Sequence, residues 1–515
     1  MRKFITSYNK GFHLPTSNHG MKNILLKRCK DVQELLKNEI KERKSQVALT
    51  TDAWGDSGVS SYLGVTAHYF DKNFVYRCRF LGLKKLPINH NGYVIYDLLQ
   101  ETIFDYGLEF SDISKIITDG ASNMIKAFED VTVGFGSKVT EGEGEEDYND
   151  DQDSGSESDE NNFDFNLIDS VEPDVELEYP YEEWCRRLSC VLHGIQRVLL
   201  LSVEKKCAQL WDIVKKARKI VKYIRKSTKA KERFYKLTNS TLLLPGDTRW
   251  NSHYFMINRF VKLVPEAEKV LKEFPRVKNP LQRITASELA TLKEFGVILS
   301  TFQHAIMELQ KKSITSSKTF GIIKGLMEDT SMRHVNPILD TLCTTMNSEL
   351  EHRFGKFINL NHQNFDPHFV ICAAFDPTEA ICLNGISPER IRDLIAARLP
   401  AIPNIPNDPQ IITGEAPLTY REKMLMSVQQ ETQSPRNKKL AELLIFISDM
   451  ITGKYVDREA VMFWHDISPS LIYLQQMALS YLAIPSSSAP SEFVFSQSSA
   501  ATKGLKNRTQ HELLN

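Results

Sequence analysis

No Cys-x-x-Cys pair occurs in this chain. Its eight cysteines, at positions 29, 78, 185, 190, 207, 343, 372 and 382, are scattered, which argues against a disulfide framework and against a self-contained zinc finger. Missing as well is any apolar run near the roughly 18 residues that span a bilayer. The opening Met-Arg-Lys-Phe-Ile-Thr-Ser-Tyr-Asn-Lys lacks the apolar core of a signal peptide, so an intracellular protein with no membrane partner is expected. Lysine and arginine are absent from one long stretch, Glu141 to Glu178, which carries 17 acidic residues. Because the whole chain has a net charge of only -1, everything outside that stretch is strongly basic, and basic proteins inside cells usually meet nucleic acid.

What is present is an ordinary globular composition, 42% hydrophobic and 25% charged. At 515 residues the chain exceeds one simple core, so two or three domains or one heavily inserted domain are expected. Val47-Ala-Leu-Thr-Thr-Asp52-Ala-Trp54 is an apolar, β-branched run ending in one acid, the pattern of a buried central strand that delivers Asp52 to the edge of a site. Lys115-Ile-Ile-Thr-Asp119-Gly120 repeats it. A lone Asp at a strand end is usually a turn residue. Two on neighbouring strands would bring their carboxylates together as a divalent metal requires.

Helical spacing over Met21 to Lys44 predicts an amphipathic helix leading into the Asp52 strand. Two β-rich runs follow, Ser61 to Phe70 and Phe74 to Leu83, separated by the hairpin signal Asp71-Lys-Asn73. Gly92 to Tyr106 carries an apolar helix face, and a helix from about Ala121 to Asp130 follows the Asp119 strand. An antiparallel meander whose first strand is joined by a parallel fourth strand after a right-handed crossover satisfies this order. That is the opening half of a ribonuclease H-like fold, in which Asp52 stands beside Asp119.

Glu141 to Glu178 is too acidic to build a core and reads as a solvated insert. Ser154 and Ser156 each have an acid three residues on, a pattern for an acidophilic kinase, with an unmodified loop as the alternative. The stretch also has the charge to screen the basic surface and compete with DNA. From Leu188 to about Ile451 the pattern is mainly helical, over Leu199–Val214, Val214–Phe234, Leu289–Leu309, Thr319–Met327, Val335–Phe357, Pro388–Leu399 and Lys438–Ile451. A helical block after a half-completed sheet reads as an insertion.

Four further features carry candidate chemistry. Ser488-Ala-Pro-Ser-Glu492 has the form of a helix N-terminus, with Glu favoured by the helix dipole; it also supplies a third acid. Cys190 and His193 share a helix face and read either as a buried thiol with a satisfied histidine or as site residues. Trp250 is core or a base-stacking platform, and Arg249 a phosphate contact or a surface ion-pair partner. The helix after Ile213 carries Lys215, Lys216 and Lys219 on a dense basic face, a solvated surface or one suited to phosphate contact or nuclear import.

Together these motifs resemble the hAT-family transposases (the hobo, Activator and Tam3 group) and transposase-derived proteins of the zinc finger BED domain-containing type. Tyr481-Leu-Ala-Ile-Pro-Ser-Ser-Ser-Ala-Pro-Ser-Glu492-Phe-Val-Phe-Ser496 is similar to the family's C-terminal dimerisation region. Leu49-Thr-Thr-Asp52-Ala-Trp54 and Ile117-Thr-Asp119-Gly-Ala-Ser-Asn-Met124 resemble its two acidic motifs, Cys190-Val-Leu-His193 its Cys-x-x-His element, and Asp247-Thr-Arg-Trp250-Asn-Ser252 its Thr-Arg-Trp motif. The resemblance implies an α/β protein with a ribonuclease H-like mixed sheet, a large all-α insertion and a C-terminal helical dimerisation segment. It implies a catalytic triad of Asp52, Asp119 and Glu492 binding Mg²⁺ or Mn²⁺, with His193 near the scissile phosphate, Trp250 and Arg249 on DNA, a homodimer or higher homo-oligomer, and a nuclear location. The rival implication is a domesticated, non-enzymatic protein using the same fold for dimerisation and DNA or chromatin binding. Two departures stand out: no BED-type finger precedes the core, and Phe493 stands where the family commonly has Arg.

The expected division is an N-terminal segment with its lead-in helix (1–45), the first part of the core (46–135), an acidic insert (136–180), a core helix (181–205), a helical insertion (206–455) and a dimerisation region completing the core (456–515).

Overall fold

A computed structural model describes residues 18–55, 61–87, 91–129, 187–246, 250–275, 281–311, 315–399 and 435–502. The acidic stretch, with Ser154 and Ser156, lies outside the described residues, as does Arg249.

Helix α1 (Asn18–Lys41) leads into strand β1 (Val47–Gly55). The next two strands, β2 (Ser61–Phe70) and β3 (Tyr76–Leu86), form the expected meander. Asp71 builds the turn between them: its Oδ1 accepts the backbone N–H groups of Asn73 at 2.8 Å and Val75 at 3.0 Å, and Phe74 takes the left-handed conformation at φ 60. Helix α2 (Gly92–Asp105), capped by the Asn91 side chain on the Val94 N–H, crosses over to β4 (Ile113–Thr118). Helix α3 (Ser122–Glu129) follows. Strand β1 pairs antiparallel with β2 and parallel with β4, so the two Thr-Asp strands are neighbours.

A fifth strand, β5 (Arg187–Ser189), pairs parallel with β4 and completes the order β3-β2-β1-β4-β5. Three residues are too few to display a period, and the sequence pattern predicts only a helix there. The two faces of β1 divide the core. Val47 and Leu49 pack with Ile95, Leu99, Ile103, Ile116 and Met124 beneath α2 and α3, whereas Ala48, Ile117 and Leu188 join the core of the helical block. With both faces covered, β1 must be apolar on both sides, which is why its sequence is nearly continuous Val, Ala, Leu and Thr.

Beyond β5 lie α4 (Val191–Leu199), a π turn (Leu200–Lys205), α5 (Ala208–Lys226) and α6 (Thr228–Thr238). The two expected helices 199–214 and 214–234 are thus divided elsewhere. Ser227 ends α5 and caps α6 by accepting the Ala230 N–H. Helices α7 (Trp250–Lys262), α8 (Val264–Glu273), α9 (Ala286–Leu309), α10 (Thr319–Ser331) and α11 (Pro337–Ile358) build most of the block, followed by α12 (His368–Ala374), α13 (Pro388–Ala396) and α14 (Pro435–Ile451). All seven residues of α12 are buried, so it has no polar face and no helical period to read. Helix α15 (Ala460–His465) precedes α16 (Ile472–Leu482) and α17 (Ala489–Thr502).

The described residues form a mixed α/β protein, a five-stranded sheet among many helices. Among the described residues no helix is long and apolar enough to cross a membrane.

Candidate active site

Asp52 sits within β1, 7% exposed, and Asp119 is the first residue past β4. Arg187 of β5 fixes that second position: its guanidinium donates to Thr118 Oγ1 and to the Asp119 carbonyl, both at 2.7 Å. The Cys190 N–H donates to the Thr118 carbonyl at 2.8 Å, extending the ladder and starting α4. Cys190 is therefore the cap of that helix and His193 lies in its first turn. The helix expected to carry both residues on one face thus carries only His193, with Cys190 at its cap.

Glu492 arrives from the far end of the chain. Helix α17 packs on β1 and β2, and the Glu492 Oε1 stands 3.5 Å from His193 Nε2. The segment before it is the serine loop, and it is buried: Ser486, Ser487, Ser488 and Ser491 are 0–3% exposed. Val191 N–H donates to the Ser486 carbonyl at 3.1 Å, Ser487 Oγ donates to the Leu309 carbonyl at 2.9 Å, and Ser488 N–H donates to Cys190 Sγ at 3.3 Å. The loop is a strap between the helical block and the sheet.

The charges meet at Asp52. Burial first, then the Asp119 carboxylate, with smaller contributions from Glu492 and Cys190, push its carboxyl well above the usual carboxylate range, against the opposing charge of His193. Burial alone would lower His193, but Cys190, Asp52 and Glu492 outweigh it and push it up to about 10. The same proximity holds the Cys190 thiol below its ordinary value in spite of burial. His193 Nδ1 and Ser488 Oγ are buried without a protein partner. Among the described residues no three His, Cys, Asp or Glu side chains stand close enough to form a ready-made metal cage.

The remaining expected site residues lie elsewhere. Trp250 is 6% exposed, stacked on His253 at 4.6 Å and tilted against Trp211 at 5.9 Å; its ring is enclosed in the core and not presented to a base. Lys216 is tied to Glu288 at 2.8 and 2.9 Å. Lys215 pairs with Asp212 one turn back at 2.7 Å but remains exposed, as does Lys219. Sequence reading missed Arg187, Thr50 and Gly64; the first stands only three residues before Cys190, the second lies inside the first acidic motif without a role of its own, and the third carries no motif.

Two stretches match known domains. Residues 50–144 match the ZBED1 RNase-like domain, and residues 192–294 match the ZBED1 RNase-like helical domain. The first match contains Asp52 and Asp119, the second His193, Trp250 and the basic helix; Glu492 lies outside both. The matches indicate a chain related to ZBED and hAT transposase-derived proteins. A search of the curated proteins finds no match.

Proposed function

We propose that this is a nuclear, transposase-derived protein that cleaves and transfers DNA strands at the site formed by Asp52, Asp119, Glu492 and His193. The observation that carries the reading is the convergence at Asp52: β1 lies parallel to the strand that leads to Asp119, Glu492 stands 3.5 Å from His193, and burial first, then the charges of Asp119 and Glu492, hold the Asp52 proton. The three side chains do not form a closed cage as they stand, but the like charges that hold the Asp52 proton would be drawn in by a hard divalent cation, and an all-oxygen donor set suits Mg²⁺ or Mn²⁺. Asp52, Asp119 and Glu492 would hold it. Such an ion supplies Lewis-acid polarisation of a phosphoryl oxygen and a more acidic bound water. His193, with a pKa of about 10, stays protonated at neutral pH and offers a fixed positive charge beside Glu492 for a phosphate oxygen.

Nicking of supercoiled plasmid with Mg²⁺ or Mn²⁺ tests this. Wild type should nick, and Asp119→Asn should lose about 100-fold or more, because several kcal/mol of transition-state stabilisation goes with a displaced ion. Equal nicking by both proteins, or none by either at saturating DNA, would sink the enzymatic reading. One observation favours the rival, a non-enzymatic DNA- or chromatin-binding protein: Trp250 is enclosed by Trp211 and His253, where a strand-processing enzyme would present it.

A further inference from the structure

Gly64 of β2 is paired directly opposite Asp52. A Cβ built on it would lie 2.5 Å from Cε1 and 2.9 Å from Cζ of Phe495, closer than packed carbons approach. Phe495, from the second turn of α17, occupies the space this glycine leaves. Its ring is 6% exposed and stacks on Trp54 at 6.1 Å and 11°, with Trp54 stacked in turn on Tyr62 at 5.5 Å. Trp54 backs one face of the ring, so a Cβ at residue 64 requires the ring or α17 to shift.

One turn earlier a second anchor holds the same helix. Ser491 Oγ is 2.8 Å from Thr50 Oγ1, two residues before Asp52 on the same face of β1. Thr50 Oγ1 is bonded to Thr66 Oγ1, Thr66 Oγ1 to His68 Nε2 at 2.9 Å, and His68 Nδ1 to the Tyr76 hydroxyl at 2.9 Å. A buried chain of hydroxyls and imidazole thus runs from β3 across β2 and β1 to the start of α17. Glu492 lies between the two anchors, next to Ser491 and three residues before Phe495.

We propose that Gly64 and Ser491 are positioning residues for Glu492: the glycine admits the Phe495 ring, the serine fixes the helix to Thr50, and together they set the turn of α17 that faces Glu492 toward Asp52 and His193. The activity arm of the test rests on the strand-cleavage reading above; the seating of the helix does not.

The test compares full-length wild type, Gly64→Ala, Ser491→Ala and Ser491→Thr, the last keeping a hydroxyl. Amide hydrogen exchange over residues 489–495 reads the seat. Mn²⁺-dependent plasmid nicking reads kcat and KM. Gly64→Ala and Ser491→Ala should each speed exchange in that segment by about 10-fold or more and lower kcat by about 10- to 100-fold, the effect of a displacement of about 1 Å, with KM for plasmid little changed. Ser491→Thr should restore both. Unchanged exchange in folded Gly64→Ala and Ser491→Ala overturns the seating, and altered exchange with an unaltered kcat overturns the positioning of Glu492. If Gly64→Ala does not fold, the serine pair decides. If wild type does not nick, the cleavage reading fails, and exchange alone decides whether these residues seat the helix.

Discussion

His68 and His368 are buried histidines that stay neutral because burial outweighs every other influence, lowering each to about 3. Lys115 and Arg398 push His368 the same way, while Asp366 opposes them. Unfolding releases both rings to a value near 6.5. Below that pH the unfolded chain takes up protons that the folded chain refuses, so the stability due to these rings is complete above about pH 6.5 and is lost as pH falls toward 3. Denaturant unfolding of wild type and His368→Gln between pH 6.5 and 4.5 should differ in slope by about 1.4 kcal/mol per pH unit, the value for one proton. Parallel slopes would reject a neutral His368 in the folded state. At the catalytic candidates the residue types were legible in the sequence, because an acid at the end of an apolar strand is conspicuous. The position opposite Asp52 was not. Gly64 looks like any strand glycine, and its reason is a ring 431 residues away in the chain.

The strands and most helices follow from periodicity, and β1 with its neighbours was legible as a meander plus one crossover because each strand alternates or runs apolar as its burial requires. The burial of the serine loop was not legible, for an equally physical reason. Hydroxyls signal a loop when water is the partner, but here Ser486 bonds to Thr315 and Ser487 to Leu309, so the same residues serve a buried strap. Helix α5 shows a similar limit. Its charge pattern implies a basic face, but only the structure separates lysines that face water from one held in a cap. Glu288 accepts from Lys216 and from the Thr285 N–H within the capping box of α9. Lys216→Met should therefore cost about 1 kcal/mol of stability and leave the salt dependence of DNA binding unchanged. Lys215→Met or Lys219→Met should leave stability unchanged and reduce the slope of log K against log salt by about 0.9 for each phosphate no longer neutralised. Equal slopes for all three variants would remove the exposed face of α5 from the DNA surface.

At the scale of the whole molecule, the candidate site draws on both ends of the described chain, and the tail that supplies Glu492 is the segment assigned by resemblance to dimerisation. Much of that tail is already occupied. Leu474, Ala478, Leu479 and Leu482 of α16 belong to the core of the helical block, and the serine loop is enclosed. Cutting the chain at Pro485 would remove the strap and the Glu492 helix together, so a change in mass after that cut would report lost folding as readily as lost pairing. The outer face of α17 is a cleaner place to look, since Phe493 is 48% exposed there, an apolar ring at the position where the family commonly carries a charge. If the tail pairs two copies through this face, burying the ring contributes a few kcal/mol, and a carboxylate in its place would have to be desolvated in the interface. Wild type should then sediment as a dimer at micromolar concentration and Phe493→Glu as a monomer, with melting temperatures within the small range of surface substitutions. A monomeric wild type, or a dimer undisturbed by Phe493→Glu, would take pairing away from this face of α17 and leave the tail with the one role its packing displays, closing the sheet and carrying Glu492.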